Sequence, residues 1–334
     1  MIFMVKICVA ANSGGHMSEI LQYRSVYERF DHFFVTDSDR STTKVSASGR
    51  VYFVDKFILG ECVERVDPIT PVKNLLQSLR ILVKERPDIV VTTGAGTAFG
   101  TCLLCRLFGA RLVFIETIAR VHSPSRFGRI IHHLANLTLV PWEGMQRHYR
   151  GAVFVGPNID AKKANSGPVG WRIFVTVGTK MQFDRLLREM DILLGEGRIK
   201  AKVKAQIGVS GYRPSHYEYF DFSDRESICD LMEEADIVVA HGGVGSVTDA
   251  LRLGNRVVVV PRLKAFGEGY DDHQLEFVRE MEKRGLILPV YDIGGLEDAI
   301  RGASDFSPRL HSPRNHGVHV LESFVAGVIR HGCD

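Results

Sequence analysis

The sequence predicts an α/β protein made of two doubly wound, Rossmann-like domains. Short apolar runs rich in Val and Ile alternate with longer amphipathic stretches along the chain. Most of these runs are continuously apolar, which is typical of parallel strands covered on both faces. A segment rich in Gly, Pro, Asn and Lys interrupts the alternation near the middle of the chain. The chain has 334 residues, enough for two hydrophobic cores.

The apolar runs predict six strands before the interrupting segment and five after it. They are residues 5–10, 33–36, 51–54, 89–92, 112–115, 137–140, 173–177, 203–207, 237–240, 257–260 and 287–290. A helix is predicted over residues 17–30, because its apolar side chains recur at helical spacing on one face. The last predicted helix, residues 316–330, is a candidate to pack back on the first domain.

The interrupting segment, GPNIDAKKANSGPVGW at residues 156–171, sets the predicted domain boundaries. The first domain covers residues 1–158, the linker residues 159–170 and the second domain residues 171–334. Ligands of doubly wound sheets bind beyond the carboxyl ends of the strands. The expected site is therefore a cleft between the two domains.

Composition excludes several classes of protein. Hydrophobic residues make up 45% of the chain and charged residues 24%, which excludes a disordered protein. A net charge of +3, with no run of consecutive like charges, argues against a nucleic-acid partner. No segment reaches the roughly 18 apolar residues of a membrane span, and the N-terminus does not fit a signal peptide. We expect a cytoplasmic protein.

Two cysteines form a CxxC pattern, but they stand inside an apolar run. Cys102 and Cys105 lie in AFGTCLLCRLF, where positions three apart share one face of a helix. This context favours thiols in a hydrophobic core over a zinc half-site or a redox pair.

The most informative stretch is IVVAHGGVGSVTDALRLGNRVVVVPR, residues 237–262. A strand ends there in one histidine and three glycines and passes into an amphipathic helix. Glycines before a helix let a ligand approach the backbone N–H groups, and the helix dipole favours an anion. The turn is a candidate phosphate site, where the Ser246 hydroxyl can cap the helix or contact the phosphate.

Asp249 lies three residues beyond Ser246, where a carboxylate can accept both hydroxyls of a ribose. The alternative is that the glycines only allow close packing and that Asp249 complements the helix dipole. A second polar cluster, with Asp271, Asp272 and His273 among its members, follows the next strand. A phosphate at the first turn would place its sugar near this cluster, because successive strand ends meet at one edge of the sheet.

The first half has its own glycine turn, Ser13-Gly14-Gly15-His16. It departs from the dinucleotide pattern GxGxxG, which weakens the case for a nicotinamide cofactor. A histidine at such a turn titrates near neutrality, so His16 is a candidate general base for a sugar hydroxyl. The alternative is a histidine that only hydrogen-bonds its own loop.

The second half of the chain resembles the catalytic subunit of the eukaryotic enzyme that adds the second GlcNAc to dolichyl-diphosphate-GlcNAc. The segments that carry this resemblance are FVTVGTKMQFDRLL (174–187), residues 235–262 and DDHQLE (271–276). The first half resembles the membrane-anchoring, acceptor-binding partner of that enzyme. Its segments are VAANSGGHMSEIL (9–21), VTDSDRST (35–42), TTGAGTA (92–98) and residues 115–145.

The same two-part arrangement occurs as paired proteins of bacterial exopolysaccharide synthesis, and the chain is more distantly similar to the peptidoglycan glucosaminyltransferase that makes lipid II. The resemblance implies a GT-B fold, with both halves fused in one chain and no obligatory second subunit. It also implies an inverting glycosyltransferase without a metal or other cofactor. Its donor would be a UDP-sugar, with GlcNAc the first candidate, and its acceptor a sugar linked to a polyprenyl or dolichyl diphosphate.

The resemblance also assigns residues to the two substrates. Contacts to the UDP-sugar fall on Gly178, Thr179, His241, Gly242, Gly243, Val244, Gly245, Ser246, Asp249, Asp272, His273 and Gln274. The family more often has Glu where this chain has Asp249. Acceptor contacts fall on Gly14, Gly15 and Arg120, and Glu116 matches the glutamate of the partner's ES.AR pattern.

A direct displacement needs a base for the acceptor hydroxyl and positive groups for the leaving diphosphate. His16 is the first candidate base and Glu116 the second. Amides at the start of the helix after His241, with help from His241 itself, are expected to stabilise the diphosphate.

An excess of arginine in residues 101–150 suggests contact with a membrane surface. That segment holds seven Arg and two acidic residues. Arg106, Arg111, Arg126 and Arg129, beside the apolar run 99–108, are expected to seat the first domain on anionic lipid as a peripheral protein of the cytoplasmic face. Ordinary solvated arginines on a buried helix are the alternative.

Other activities remain open on the sequence. UDP-glucuronic acid or UDP-glucose are alternative donors, and Arg262 or Lys264 could meet a glucuronate carboxylate. A UDP-sugar epimerase shares the double-domain fold but needs no acceptor. A non-catalytic nucleotide-sugar binding protein would bind UDP and release none from a UDP-sugar.

Overall fold

The computed structural model describes residues 5–37, 49–56, 69–159, 161–162, 171–269, 271–309 and 316–331. The chain divides into two compact units, one formed by Met1–Asn158 with Arg314–Asp334 and the other by Ile159–Pro313. Parts of the motif at residues 35–42, most of the predicted linker and Tyr270 lie outside the described residues.

The first unit contains a parallel sheet of seven strands in the order β3-β2-β1-β4-β5-β6-β7. They are β1 (Lys6–Ala11), β2 (Asp31–Thr36), β3 (Arg50–Phe53), β4 (Ile89–Gly94), β5 (Arg111–Ile115), β6 (Leu137–Val140) and β7 (Val153–Phe154). All six strands predicted for this half are present. The two-residue β7 was missed, because so short a run carries no periodic signal.

In the described part of this unit, five α-helices precede residue 159. They are α1 (Gly15–Ile20), α2 (Arg24–Tyr27), α3 (Ile69–Glu85), α4 (Phe99–Leu107) and α5 (Arg126–Ile131). The single helix predicted over residues 17–30 was wrong, because a 3-10 turn at Leu21–Tyr23 separates α1 from α2. The tighter turn places Tyr23 among the buried side chains of Val26 and Tyr27.

The second unit contains a parallel sheet of six strands in the order β10-β9-β8-β11-β12-β13. They are β8 (Arg172–Thr176), β9 (Lys202–Gln206), β10 (Glu218–Phe220), β11 (Ile237–His241), β12 (Arg256–Val260) and β13 (Leu288–Pro289). The helices are α6 (Asp184–Gly195), α7 (Arg225–Glu234), α8 (Val244–Leu253), α9 (His273–Lys283) and α10 (Leu296–Gly302). The edge strand β10 was missed, because its side chains are largely exposed and form no apolar run.

The last helix, α11 (His316–His331), belongs to the first unit. Its buried side chains Val318, Leu321 and Val325 lie in the same hydrophobic cluster as Ile20 of α1. On the surface, Glu322 accepts a hydrogen bond of 2.7 Å from Arg29. The chain therefore returns to its first unit after completing the second.

Both sheets have apolar strands in their interiors, and each unit has its own core. This arrangement confirms the prediction of two doubly wound domains. Across the described ranges, none of the helices is both long and apolar enough to cross a membrane.

Candidate functional site

The glycine turn of the second unit is built around the ring of His241, the last residue of β11. A Cβ at Gly178 would lie 2.8 Å from this ring, and one at Gly243 would lie 2.2 Å from its Nε2. A Cβ at Gly242 would lie 2.9 Å from the Cβ of Gln274. These positions require glycine because a side chain would collide with a buried residue, and Gly178 also has a positive φ of 71°.

The turn leaves the start of α8 without a side-chain cap. Gly243 is the N-cap residue, and no side chain of the turn accepts a hydrogen bond there. Ser246 stands inside the first turn of α8, so the predicted capping by its hydroxyl was wrong. The first N–H groups of a helix have no intrahelical partner, and the dipole gives them a partial positive charge. The turn can therefore bind an anion through the amides of Val244–Ser246.

His241 is a neutral ring in this structure. Burial lowers the pKa of His241 to about 3, and the positive charge of Arg262 lowers it as well. Its Nδ1–H donates to the carbonyl of Thr176 at 3.3 Å, which leaves Nε2 unprotonated. The expected contribution of His241 to stabilising the diphosphate stays a prediction.

The Asp249 carboxylate, which was predicted to bind a ribose, is paired with two arginines in the structure. Arg225, the first residue of α7, donates to both carboxylate oxygens at 2.7 to 3.1 Å. Arg252 adds a second partner at 3.2 Å. A ribose would have to share Asp249 with these arginines or displace them. This ion pair could not be predicted from the sequence, because Arg225 stands 24 positions before Asp249.

The polar cluster at the start of α9 holds the loop that follows β12. The Asp272 carboxylate accepts a hydrogen bond of 2.9 Å from the Lys264 amide, and Gln274 Oε1 accepts one of 3.0 Å from the Arg262 amide. His273 pairs with Asp271. Thr179 is exposed beside Gly178. The second unit thus brings the predicted UDP-sugar residues together at the carboxyl ends of β8, β11 and β12.

A buried ion pair holds the same loop from the other side. Arg185 Nε and NH2 each donate to one oxygen of Glu268 at 2.9 Å, and Glu268 is 1% exposed. The guanidinium also lies 5.3 Å from the ring of Phe183 and 4.9 Å from that of Phe266. Sequence reasoning missed both charged residues because nothing in their spacing links α6 to this loop.

In the first unit, His16 stands in the first turn of α1, immediately beyond β1. Its Nδ1–H donates to the carbonyl of Thr93 at 3.1 Å, and the Thr93 hydroxyl donates to the His16 carbonyl at 3.0 Å. A general base in this position would accept the proton on the other ring nitrogen, Nε2. Among the described residues, no atom lies within 4 Å of a Cβ built on Gly14 or Gly15.

Asp37, at the end of β2, fixes the loop that leads to His16. Its carboxylate accepts from the amide and the hydroxyl of Ser13 at 2.8 and 2.9 Å and pairs with Lys56 at 2.8 Å. Burial alone would raise the pKa of Asp37, but the hydrogen bonds from Lys56 and Ser13 outweigh it and hold the pKa below its usual value. The carboxylate therefore stays ionised and keeps the glycine turn in place.

Glu116 lies in the interior, at the end of β5, with an exposed fraction of 1%. It accepts from the amides of Thr117 and Ser125 at 2.9 and 3.0 Å, and from the hydroxyl of Tyr149. Burial raises the pKa of Glu116 despite these bonds. This environment gives Glu116 a structural role in the loop 116–125, which also carries the half-buried Arg120.

A second buried carboxyl, Glu19, was missed. It stands on α1 three residues after His16 and accepts from the Thr117 hydroxyl at 2.8 Å and the Ile118 amide at 3.3 Å. Burial, together with the negative charge of the nearby Glu116, raises the pKa of Glu19 to about 8. Glu19 thus connects the helix of His16 with the loop of Arg120. A Glu inside an apolar helix face, in GGHMSEIL, was the available signal.

The arginine-rich segment does not form the apolar surface that was predicted. Most of residues 99–108 are buried or half-buried, and only Leu107 and Phe108 are largely exposed. Arg106 donates to the carbonyl of Leu134 at 3.0 Å. Arg111, Arg126 and Arg129 are exposed.

Helix α3 carries the larger exposed apolar surface of this unit. Its exposed face consists of Ile69, Val72, Leu76, Leu79 and Val83, with exposed fractions of 57, 54, 53, 37 and 63%. The basic residues Lys73, Arg80 and Lys84 of the same helix are also exposed. We call these eight residues the α3 face.

The predicted core thiols are confirmed, since Cys102 and Cys105 are free and buried. Within the described ranges, no group of three or more His, Cys, Asp or Glu side chains is arranged to hold a metal ion.

Comparison with known sequences gives two family matches. Residues 7–158 match the family described as oligosaccharide biosynthesis protein Alg14 like. Residues 172–317 match the glycosyltransferase family 28 C-terminal domain. The two matches divide the chain at the same place as its two sheets.

Curated relatives agree with both matches. The human UDP-N-acetylglucosamine transferase subunit ALG14 is 25% identical over 177 residues, which cover 46% of this chain and 82% of that protein. The UDP-N-acetylglucosamine–N-acetylmuramyl-(pentapeptide) pyrophosphoryl-undecaprenol N-acetylglucosamine transferase of Geobacillus thermodenitrificans is 26% identical over 241 residues, 66% of this chain and 64% of that protein.

Solved structures share the fold over nearly the whole chain. MurG of Acinetobacter baumannii superposes with a TM-score of 0.60 and 14% identity, covering 96% of this chain and 99% of the other. UDP-GlcNAc 2-epimerase of Neisseria meningitidis, bound to UDP-GlcNAc, gives a TM-score of 0.67 at 11% identity and covers 96% and 100%. These likenesses confirm the GT-B fold and do not by themselves separate a transferase from an epimerase.

Proposed function

Because this chain belongs to the glycosyltransferases, joining an Alg14-like half to a family 28 C-terminal domain, we propose that it transfers GlcNAc from UDP-GlcNAc to a sugar on a polyprenyl diphosphate. The observation that carries the proposal is the presence of both halves in one chain, each with a glycine turn at the carboxyl end of its sheet. A single chain would then supply both the acceptor side and the donor side, without a second subunit.

The geometry of the second unit supports binding of a nucleoside diphosphate. The uncapped start of α8 offers backbone amides and the positive end of a dipole. Glycines at 242 and 243 let the turn pack closely on Gln274 and the His241 ring, which holds these amides in place. The same amides would stabilise the charge that develops on the leaving diphosphate. An interaction that is stronger in the transition state than in the bound substrate accelerates the reaction.

The geometry of the first unit supports His16 as the base. In an inverting displacement, the acceptor hydroxyl attacks the anomeric carbon while a base takes its proton, and the carbon–oxygen bond to UDP breaks with its electron pair leaving on the diphosphate. The bond from Nδ1–H to Thr93 orients the ring, and Nε2 would be the atom that accepts the proton. Glu116 would instead support the loop, because both its oxygens are bonded inside the unit.

His16→Ala should therefore abolish turnover and leave UDP affinity within about twofold of wild type. Turnover and UDP binding can be measured on the same preparation. An active His16→Ala enzyme would remove His16 from the mechanism. The conservative Glu116→Gln variant should remain largely active, since an amide can keep one of the accepted bonds.

The donor sugar is part of the proposal. Both curated relatives named above are N-acetylglucosamine transferases, which favours UDP-GlcNAc. Of the two cations proposed to meet a glucuronate carboxylate, Arg262 has a buried guanidinium bonded to the carbonyls of Val177 and Met181. Lys264 is exposed.

We also propose that the α3 face seats the first unit on the membrane that holds the lipid-linked acceptor. Apolar side chains on one helix face, flanked by lysine and arginine, match the pattern of a peripheral helix on an anionic surface. Leu107 and Phe108 add exposed apolar area in the same unit. The α3 face therefore takes the place of the run 99–108 as the main proposed membrane contact, and only the end of that run, Leu107 and Phe108, adds to it.

The test is UDP release from a panel of UDP-sugars, with and without a polyprenyl-diphosphate-linked monosaccharide in detergent. The proposal expects release from UDP-GlcNAc that depends on the acceptor and persists in EDTA, since no metal is invoked. Equal release without acceptor would indicate hydrolysis. Conversion of the UDP-sugar to an epimer without acceptor would support the epimerase alternative instead.

A further inference from the structure

Arg262 is a buried cation without a carboxylate partner. Its exposed fraction is 5%. Its guanidinium Nη2 donates to the carbonyls of Val177 and Met181. Among the described residues, its buried Nε has no hydrogen-bond partner. Among the residues that the structure describes, no carboxylate forms an ion pair with it, because the neighbouring Glu268 is engaged by Arg185.

An unpaired buried charge is expensive to maintain. Moving an ion from water into a protein interior costs several kcal/mol unless a counter-charge is supplied. Two carbonyl dipoles offset part of this cost, but they do not neutralise the charge. Burial lowers the pKa of Arg262 to about 10, so the guanidinium is still protonated at neutral pH. Such a group is typical of a functional site more than of a stabilised core.

Two independent contacts place Arg262 beside the glycine turn. First, its amide donates to Gln274 Oε1, and the Gln274 side chain lies 2.9 Å from where a Cβ of Gly242 would stand. Second, its guanidinium binds the carbonyl of Val177, the residue before Gly178, which packs directly on the His241 ring. The charge therefore lies close to the start of α8.

We propose that Arg262 is the buried counter-charge of the donor diphosphate. The diphosphate supplies the negative charge that the interior lacks, and the guanidinium strengthens the attraction that the α8 amides begin. Arg262 would add a permanent positive charge to the contribution expected from His241. The inference rests on the proposed function only in taking a nucleoside diphosphate as the ligand.

The experiment compares the binding of UDP and of uridine by calorimetry or competition, without any acceptor. Arg262→Met should weaken UDP binding tenfold or more and leave uridine binding within about twofold of wild type, because only the diphosphate carries charge. Arg262→Lys should retain part of the UDP affinity. Arg256→Met is the matched control, because Arg256 stands at the opposite end of the same strand and also has a buried Nε.

A second readout separates charge from structure. Removal of the Arg262 charge should raise the pKa of His241 in NMR titrations, in Arg262→Met but not in Arg262→Lys. The proposal is overturned if Arg262→Met binds UDP as wild type does, or if UDP and uridine lose affinity equally in both variants. If the wild-type protein transfers no sugar but shows the expected UDP and uridine pattern, the proposed function fails and this inference stands.

Discussion

Glu19 shows how a single buried carboxyl shapes the acceptor-side loops. It lies three residues after His16, about one turn further along α1. Its side chain faces inward to Thr117 and Ile118. Its environment contains Glu116 and Tyr23, and neither supplies a positive charge. In the part of the chain that the structure describes, no cation pairs with the Glu19 carboxylate, so burial favours the protonated form.

The stability of the first unit should therefore fall as the pH rises through the range between 4.5 and 8. The pKa of Glu19 is raised by burial from 4.5 to about 8, so the folded state holds a proton that the unfolded chain has already released. Linkage then predicts a loss of roughly 2 to 4 kcal/mol between pH 5 and pH 8 from this residue. Thermal unfolding at several pH values measures the effect.

Glu19→Gln should remove most of this pH dependence, because the amide cannot ionise but can still accept the Thr117 bond. Exposed Glu28 in the same segment is the control, and Glu28→Gln should keep the wild-type profile. Identical pH profiles for wild type and Glu19→Gln would show that Glu19 ionises without penalty, contrary to its burial.

Sequence reasoning was most informative where backbone geometry decides the residue type. The glycines at 178, 242 and 243 could be predicted, because a phosphate turn and close packing both demand glycine. The partners of Asp249 and the role of Arg262 could not be predicted. They depend on side chains from α7, β8 and β12 that meet only after the sheet forms.

Among the elements, α3 combines a buried polar seam with an exposed apolar face. Asn74, Ser78 and Glu85 are buried on the inner side, while the α3 face is turned to solvent. The exposed apolar face could not be predicted from the sequence. The apolar spacing of α3 is regular, and spacing alone does not say which side of a helix is buried. An exposed apolar stripe of this kind marks an interaction surface.

The double substitution Leu76→Glu and Val83→Glu should abolish binding to anionic vesicles, because it places two negative charges in the apolar stripe. Vesicle sedimentation with phosphatidylglycerol measures the binding, and UDP affinity should be unchanged. Ile192→Glu on α6 is the control for an exposed apolar residue outside this surface. Undiminished sedimentation of the double variant would exclude the α3 face as the membrane contact.

At the scale of the whole molecule, the chain crosses from one unit to the other and returns. The two sheets could be predicted from continuous apolar runs, because a parallel sheet buries both faces of its strands. The return of α11 was only a candidate from sequence, since an amphipathic helix can pack on any apolar surface. Its place is decided by the cluster that Leu321 and Val325 complete in the first unit.

Leu321→Ala should destabilise the first unit by about 2 to 5 kcal/mol, the usual loss for a fully buried leucine. UDP binding by the second unit should persist, because α11 contributes to the other core. Thermal unfolding with and without UDP should then show a lowered first transition and a second transition that UDP still raises. A parallel loss of UDP affinity would mean that α11 also supports the second unit.

The most direct test of the account is the structure of the product formed from UDP-GlcNAc and a polyprenyl-diphosphate-linked monosaccharide. We expect the lipid product to gain the mass of one N-acetylhexosamine, and its NMR spectrum to show a β linkage, the inverse of the α linkage in the donor. A lipid of unchanged mass, with the UDP-sugar isomerised or intact, would contradict the account. A product with an α linkage would leave transfer standing and exclude the single displacement with His16 as its base.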